Sequence, residues 1–270
     1  MNAEPSPWRG RRVLVTGCTG FLGGAVCREL FAAGAEVVGL IHRRAGGDIF
    51  GPGQGGRVHF VHGRTDNVFR LHSAMAVHEV AAVFHLATTD PGAVLRAAKL
   101  YARRVPVLTA RPLARLALAR TDETHDDGLS AARFGAVFGP GDRNLTRAIP
   151  AAALGALTGE RLVPPSDGPT TDLVFMRDAA RACLRVAEDV AAHGPGDYTF
   201  QSGWRLTERQ TAVAVRDAFD GRTPAAPDSA PPTNPLGWSP SLTFGEAVSE
   251  TLAWYREFAR EGMGASRRAA

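Results

Sequence analysis

A glycine-rich turn near the start of the chain constrains the possible folds more than any other feature. Residues 16–23 read Thr-Gly-Cys-Thr-Gly-Phe-Leu-Gly, between an apolar segment at 13–15 and a segment at 25–32 with helical apolar spacing. A strand, a tight glycine turn and a helix in this order begin a βαβ unit, whose helix N-terminus binds anions through free N–H groups. The pattern therefore predicts that the turn binds the pyrophosphate of a dinucleotide.

Strand-like and helix-like segments continue to alternate after this turn. Further strands are predicted at 36–41, 58–62, 80–87 and 130–138, and helices at 68–77 and 113–122. Such alternation is typical of right-handed βαβ units. It predicts the α/β class, with a Rossmann-type doubly wound parallel sheet that helices cover on both faces.

The second half of the chain is less regular and predicts a smaller lobe. Helices are expected at 149–157, 178–187, 208–219 and 244–258, and a proline-rich linker lies at 224–240. We expect residues 1–145 and about 172–190 to form the dinucleotide-binding domain. We expect residues of about 146–171 and 191–270 to form a C-terminal substrate-binding lobe over the carboxyl edge of the sheet.

Composition argues against several classes of function. No apolar run approaches the roughly 18 residues of a membrane span, and the first residues carry no export signal, so a soluble protein in the cytoplasm is the expectation. Three widely spaced cysteines argue against a disulfide framework or a metal site. The net charge of +4 comes from scattered arginines without interleaved aromatic residues, which argues against a nucleic-acid partner. A small molecule is the expected partner, and the oligomeric state is left open.

The residues after the second predicted strand indicate which dinucleotide is bound. An NAD site places an acidic residue there to bind the ribose 2′-hydroxyl, whereas an NADP site supplies arginine. Here Leu40 and Ile41 are followed by His42, Arg43 and Arg44, so the position offers cations and no carboxylate. NADP(H) is therefore the predicted cofactor. The alternative is that the two arginines are only solvated charges at a strand end.

Four more segments carry a family resemblance. They are 83–87 (VFHLA), 133–142 (RFGAVFGPGD), 172–180 (DLVFMRDAA) and 236–240 (LGWSP). With the glycine turn, they are similar to the extended short-chain dehydrogenases/reductases, the branch that contains sugar-nucleotide epimerases and dehydratases. The resemblance covers most of the chain and implies a Rossmann fold, a nicotinamide cofactor and an oxidoreductase activity.

The chain departs from this family in its catalytic residues. The family's Tyr-x-x-x-Lys pair is absent, because the only lysine is Lys99 and no tyrosine lies four residues before it. Counted back from the segment at 133–142 without gaps, the tyrosine falls at Val107 and the lysine at Arg111. The stretch from Ala87 to Val107 is too short for the family's helix, strand and active-site Ser/Thr. We therefore expect that the sheet has lost or shortened an element.

The resemblance also implies which residues hold the cofactor. The pyrophosphate would lie at the glycine turn, and the ends of the second and fourth strands would also contact the cofactor. Arg64 and Thr65 would lie near adenine, or Arg64 would face solvent, and Arg111 would lie near the nicotinamide ribose. The cofactor-binding candidates are Gly17, Thr19, Gly20, Phe21, Leu22, His42, Arg43, Arg44, Arg64, Thr65, Leu86, Ala87, Thr88 and Arg111.

The expected reaction follows from a second departure. Thr171 stands where the family has an arginine for a sugar diphosphate, which favours an uncharged aromatic substrate. The layout is similar to the angucyclinone ketoreductases, so the expected function is NADPH-dependent reduction of a ketone of an aromatic polyketide, in the secondary metabolism of antibiotic biosynthesis. The alternatives are a sugar-nucleotide epimerase or dehydratase, and a non-catalytic NADP(H)-binding sensor.

Ketone reduction also needs a proton, for which general acid help is worth roughly 10²- to 10⁴-fold in rate. The candidate donors are water, the hydroxyl of Thr88 or Thr109, and a phenol of the substrate itself, which we favour. Arg111 stays protonated at neutral pH, so positioning and electrostatics are its expected role. Thr88 and Arg111 are the catalytic candidates, while His85 either packs structurally or acts as a general acid.

Overall fold

The computed structural model describes residues 6–42, 57–102, 105–112, 128–159, 167–225 and 232–268. The predicted helix at 113–122 and the two arginines at 43 and 44 lie outside these ranges. The chain divides into two compact units. The first comprises Met1–Phe134, Ala179–Phe200 and Pro235–Gly237, and the second comprises Gly135–Asp178, Gln201–Asn234 and Trp238–Ala270. That the second unit binds substrate stays a prediction.

Ten strands and seven helices lie in the described ranges. The strands are β1 (Arg12–Thr16), β2 (Glu36–Ile41), β3 (Val58–His62), β4 (Ala82–His85), β5 (Val107–Pro112), β6 (Leu129–Phe134), β7 (Ala136–Phe138), β8 (Thr171–Phe175), β9 (Asp197–Phe200) and β10 (Arg205–Leu206). The helices are α1 (Phe21–Ala32), α2 (Val68–Val77), α3 (Gly92–Tyr101), α4 (Ala148–Thr158), α5 (Met176–His193), α6 (Glu208–Phe219) and α7 (Phe244–Arg268).

The first unit contains a seven-stranded sheet in the order β3-β2-β1-β4-β5-β6-β9, and every pairing in it is parallel. The α/β prediction is thereby confirmed. Strand β4 is buried throughout, as expected of a central strand that packs on both faces. Helices α2 and α3 pack against one face through apolar residues that include Leu71, Met75 and Val94.

One part of the expectation that the sheet has lost or shortened an element is wrong, because within the described residues no strand is missing after Ala87. Helix α3 and strand β5 both fit after Ala87, because Val107 itself begins β5 and pairs with Val83 of β4. A Tyr-x-x-x-Lys spacing places two side chains on neighbouring turns of a helix, whereas Val107 and Arg111 lie on a strand, about 13 Å apart. The gap-free count therefore assigned the family's pair to the wrong kind of element.

The predicted strand at 130–138 is two strands. Strand β6 belongs to the large sheet, and β7 pairs with β8 in a three-stranded sheet of the order β10-β8-β7. Gly135 separates them, and a Cβ at this position would lie 2.0 Å from the Asp172 carbonyl oxygen. The apolar run continues through both strands, so hydropathy alone did not reveal the change of sheet.

The second unit packs α4, α6 and α7 together with the three-stranded sheet. Helix α6 begins with a capping box, in which the Gln210 N–H donates to Thr207 Oγ1 at 3.2 Å and the Thr207 N–H donates to Gln210 Oε1 at 2.8 Å. Phe138, Trp204 and Phe244 form an aromatic cluster beneath the helices. Within the described part of the chain, no helix is long and apolar enough to cross a membrane.

Candidate dinucleotide site

The glycine turn between β1 and α1 has no room for side chains. Gly17 has a φ of 71°, and a Cβ there would lie 2.6 Å from the Ala87 backbone nitrogen. A Cβ on Gly23 would lie 2.0 Å from the Gly17 carbonyl oxygen, and one on Gly20 would lie 3.1 Å from the same atom. The turn is thus folded onto itself and against the residues that follow β4.

The turn presents the start of α1 as an anion site. Thr19 and Gly20 are exposed, while Phe21 and Leu22 are half-buried. Gly20 is the N-cap, so no side chain caps the helix, and its first turn carries no acidic residue. The first N–H groups of a helix have no partner within the helix, and together with the helix dipole they favour a phosphate. These residues therefore fit the pyrophosphate of a dinucleotide.

Cys18, within the turn, carries a buried thiol that packs against Gly39 of β2. Burial raises the pKa of Cys18 to about 11, so the thiol is neutral at physiological pH. The neutral Cys18 side chain therefore adds no negative charge that would repel a phosphate at the turn.

The carboxyl ends of β2 and β3 supply the residues predicted near the adenosine. His42 is exposed directly after β2. Arg64, after β3, is exposed and donates to the Asp66 carboxylate, from Nε to Oδ1 at 3.1 Å and from Nη2 to Oδ2 at 2.7 Å. This pair lowers the pKa of Asp66. Asp66 was missed from the sequence, although its position two residues after an arginine in a turn is a local signal.

The loop after β4 packs against the turn and reaches toward the loop after β3. Leu86 and Ala87 are half-buried, and the Leu86 N–H donates to the Thr16 carbonyl at 3.1 Å. The hydroxyls of Thr65 and Thr89 are 2.8 Å apart and share a hydrogen bond. Thr65 is therefore close to the β4 loop, as a shared site requires. Thr89 is a second residue that sequence reasoning missed.

His85, at the end of β4, uses both ring nitrogens. Nδ1 is 2.8 Å from Thr16 Oγ1, and Nε2 is 2.9 Å from the Thr89 carbonyl oxygen. The ring is buried, and burial lowers its pKa below the ordinary value. A buried ring with both nitrogens engaged and a lowered pKa is poorly suited to act as a general acid, which favours the structural alternative.

The predicted catalytic residues lie at the adjacent ends of β4 and β5. Thr88 is exposed on the loop after β4, and Arg111 is half-buried near the end of β5. Arg111 is close enough to His85 for its charge to act on the ring. Thr109 is buried and donates to the Ser130 carbonyl at 3.3 Å, so its proton already has a partner. Of the two hydroxyls considered as donors, Thr88 is the accessible one.

Comparison with known proteins agrees with this geometry. Residues 13–123 match the model of the NAD dependent epimerase/dehydratase family. No curated protein sequence matches the chain significantly. Among solved structures, the Bordetella bronchiseptica enzyme WbmF in complex with NADH is 20% identical with a TM-score of 0.75, over 99% of this chain and 97% of that one.

Two other solved structures have a similar fold. The Thermotoga maritima UDP-glucose 4-epimerase with UDP-glucose is 16% identical with a TM-score of 0.70, over 92% of this chain and 99% of that one. The Bacillus anthracis dTDP-glucose 4,6-dehydratase in complex with NAD is 17% identical with a TM-score of 0.69, over 92% of this chain and 97% of that one. At such identities the likeness shows a common fold. The resemblance to the extended short-chain dehydrogenases/reductases is therefore supported, by a match to the NAD dependent epimerase/dehydratase family over residues 13–123 and by a fold shared along the chain.

Proposed function

We propose that the protein is an enzyme that binds a nicotinamide dinucleotide and uses it to oxidise or reduce a carbon atom bearing a hydroxyl or keto group. The observation that carries the proposal is the turn at 16–23, where a Cβ on Gly17 or Gly23 would clash with backbone atoms and an uncapped helix begins. The dinucleotide, when bound, supplies the hydride acceptor or donor. The residues of the chain orient it and stabilise charge on the substrate.

The substrate class that the comparisons favour is a nucleotide sugar. Two of the similar structures are named for reactions at UDP-glucose and dTDP-glucose, and the matching family model is that of epimerases and dehydratases. We therefore place sugar-nucleotide epimerisation or dehydration ahead of ketone reduction.

Reduction of an aromatic polyketide ketone is the second candidate, because of what the sequence lacks. It has no Tyr-x-x-x-Lys pair, and Thr171 replaces the arginine expected for a sugar diphosphate. A substrate phenol hydrogen-bonded to the ketone would supply the proton that a tyrosine otherwise gives. In this assignment Arg111 stabilises the developing oxyanion, and Thr88 is the protein hydroxyl able to reach the substrate.

One assay separates the candidates. The protein is incubated with UDP- and dTDP-sugars, and products are resolved by chromatography; in parallel, NADPH absorbance is followed with a panel of aromatic ketones that carry or lack a neighbouring phenol. New sugar products support the first candidate. NADPH oxidation only with the phenolic ketones supports the second, and tight cofactor binding without turnover in either arm would contradict both and favour a sensor.

The cofactor prediction is tested by binding alone. We expect NADP(H) to bind at least about tenfold more tightly than NAD(H), because a hydrogen bond between charged groups is worth roughly 1.5–3 kcal/mol. Isothermal titration calorimetry gives both Kd values, and the Arg43→Ala/Arg44→Ala variant should lose the difference. The named complexes of WbmF contain NADH or NAD⁺, so tighter NAD(H) binding is the competing result and would refute the NADP assignment.

Arg28, which is exposed on α1, provides the matched control for these two arginines. Arg28→Ala removes one positive charge from α1 and leaves the residues after β2 unchanged. It should leave the ratio of the two Kd values unchanged.

A further inference from the structure

Four residues at the glycine turn and beside it are linked in a hydrogen-bond chain, which passes through the backbone of Thr89. Thr16 Oγ1 bonds His85 Nδ1 at 2.8 Å, His85 Nε2 bonds the Thr89 carbonyl at 2.9 Å, and Thr89 Oγ1 bonds Thr65 Oγ1 at 2.8 Å. These residues come from the end of β1, the end of β4, the loop after β4 and the loop after β3. These hydrogen bonds link the ends of β1 and β4, which also pair in the sheet at Thr16 and His85, to the loops after β4 and β3. All of these segments surround the proposed cofactor site.

The direction of these bonds fixes the state of the imidazole. A carbonyl oxygen can only accept, so His85 Nε2 must carry a hydrogen and donate it to Thr89. In a neutral ring Nδ1 then holds a lone pair, and it accepts from the hydroxyl of Thr16, which is itself completely buried. Protonation at Nδ1 would leave two hydrogens facing each other unless the Thr16 hydroxyl hydrogen rotated away from His85. The hydrogen-bond chain is therefore complete when His85 is neutral.

We propose that neutral His85 is a positioning residue for dinucleotide binding, which holds the loop of residues 86–89 against the glycine turn and, through Thr89, fixes the loop that carries Thr65. This loop is in close contact with the glycine turn, because the backbone of Leu86 and Ala87 lies where a Cβ on Gly17 would fall. A loop displaced by loss of the His85 bonds would move the backbone that supports the turn. This inference rests on the proposed function, because it assumes that the turn binds a dinucleotide.

The charges around the ring make the neutral state pH-dependent. Burial is the largest influence and lowers the pKa of His85. The hydrogen bond to the Thr89 carbonyl and the charge of Asp90 act in the opposite direction, and Arg111 on β5 lowers the pKa further. The folded protein therefore takes up a proton at His85 less readily than the unfolded chain, whose ordinary value is 6.5. Stability should be constant above this pH and should fall as the pH drops below it. Cofactor affinity should begin to fall at a lower pH, where His85 of the folded protein takes up a proton.

The test measures the Kd of NAD⁺, which has no phosphate that titrates between pH 5 and 8, for the full chain and two variants. His85→Phe removes both bonds and should weaken binding by about tenfold or more at pH 7.5. His85→Gln keeps a donor for the Thr89 carbonyl but cannot titrate. It should bind within about threefold of the native protein at pH 7.5 and should lack the native loss of affinity at acid pH.

Matched variants separate positioning from general destabilisation. His78→Phe changes another histidine, at the end of α2, whose ring centroid lies 5.4 Å from that of His59. It should leave the Kd and its pH profile unchanged. If His85→Phe fails to fold, Thr89→Val and Thr65→Val, alone and combined, test the outer bond, and their effects on Kd should be smaller together than the sum of the two. The exposed residues His42 and His62 are present in all these proteins, so they do not account for a difference between them.

The outcomes are distinguishable. If the native protein binds no nicotinamide dinucleotide, the proposed function fails. If it binds one, and folded His85→Phe has the native Kd, or His85→Gln keeps the native pH profile, the positioning role of His85 is overturned. If the effects of Thr65→Val and Thr89→Val on the Kd are additive, the hydrogen bond between these two hydroxyls plays no part in positioning the loop.

Discussion

Gly23→Ala is expected to weaken dinucleotide binding by at least about 100-fold and to lower the free energy of unfolding by about 3 kcal/mol. The added methyl group would lie 2.0 Å from the Gly17 carbonyl oxygen and 2.7 Å from its carbon. Backbone atoms cannot rotate away as a side chain can, so the turn and α1 must separate. Calorimetric titration with NADPH and NADH, together with urea denaturation, measures both effects.

The next residue provides the control for this substitution. Gly24 lies in the same helix, but a Cβ there would have its nearest neighbours at 3.7 Å, which is ordinary contact. Gly24→Ala should leave the Kd unchanged and should stabilise the helix by up to about 1 kcal/mol. Equal losses of affinity in the two variants would show that helix composition, rather than the clash at the turn, controls binding.

Asp172→Ala is expected to lower the free energy of unfolding by about 3 kcal/mol. The buried carboxylate on β8 accepts the N–H groups of Ser202 at 3.0 Å and Gly203 at 2.9 Å. Removing it leaves two buried donors without an acceptor, each worth about 1–3 kcal/mol. Asp172→Asn retains one side-chain oxygen and should cost about half as much. Urea denaturation with a constant m-value is the measurement.

The exposed Asp167 serves as the comparison. Its carboxylate pairs with Arg209 Nε at 2.6 Å, with the two side chains 68% and 55% exposed. An ion pair in water contributes little, so Asp167→Ala should change stability by less than about 1 kcal/mol. A loss at Asp172 no larger than that at Asp167 would mean that the buried N–H groups find other partners.

Local patterns predicted much of the architecture. The strands at 36–41 and 58–62 and the helices at 68–77 and 208–219 have the predicted bounds, because their apolar spacing and flanking turn residues agree. Helix α1 begins at Phe21 rather than at 25. Gly23 and Gly24 are poor helix formers, so local propensity placed the start of the helix after them, and of the two only Gly23 packs closely against the turn.

The predictions that failed depended on long-range pairing. Nothing near residue 107 in the sequence shows that it pairs with Val83, and nothing in the run of apolar residues marks Gly135 as the point where the chain changes sheets. The candidate site shows the same division. The glycines of the turn were recognisable, whereas the hydrogen-bond partners of Thr65 and His85 depend on segments brought together by the sheet.

The order of the strands also affects how the chain is made. Strand β6 pairs on one side with β5 and on the other with β9, where Ala131 faces Asp197, 66 residues later in the chain. At a synthesis rate of about 5–20 residues per second, the ribosome needs roughly 3–13 s to add that length. During this interval the nascent chain exposes an open strand edge, which is a template for unwanted association. Faster maturation is thus expected when a chaperone accompanies translation through residue 200.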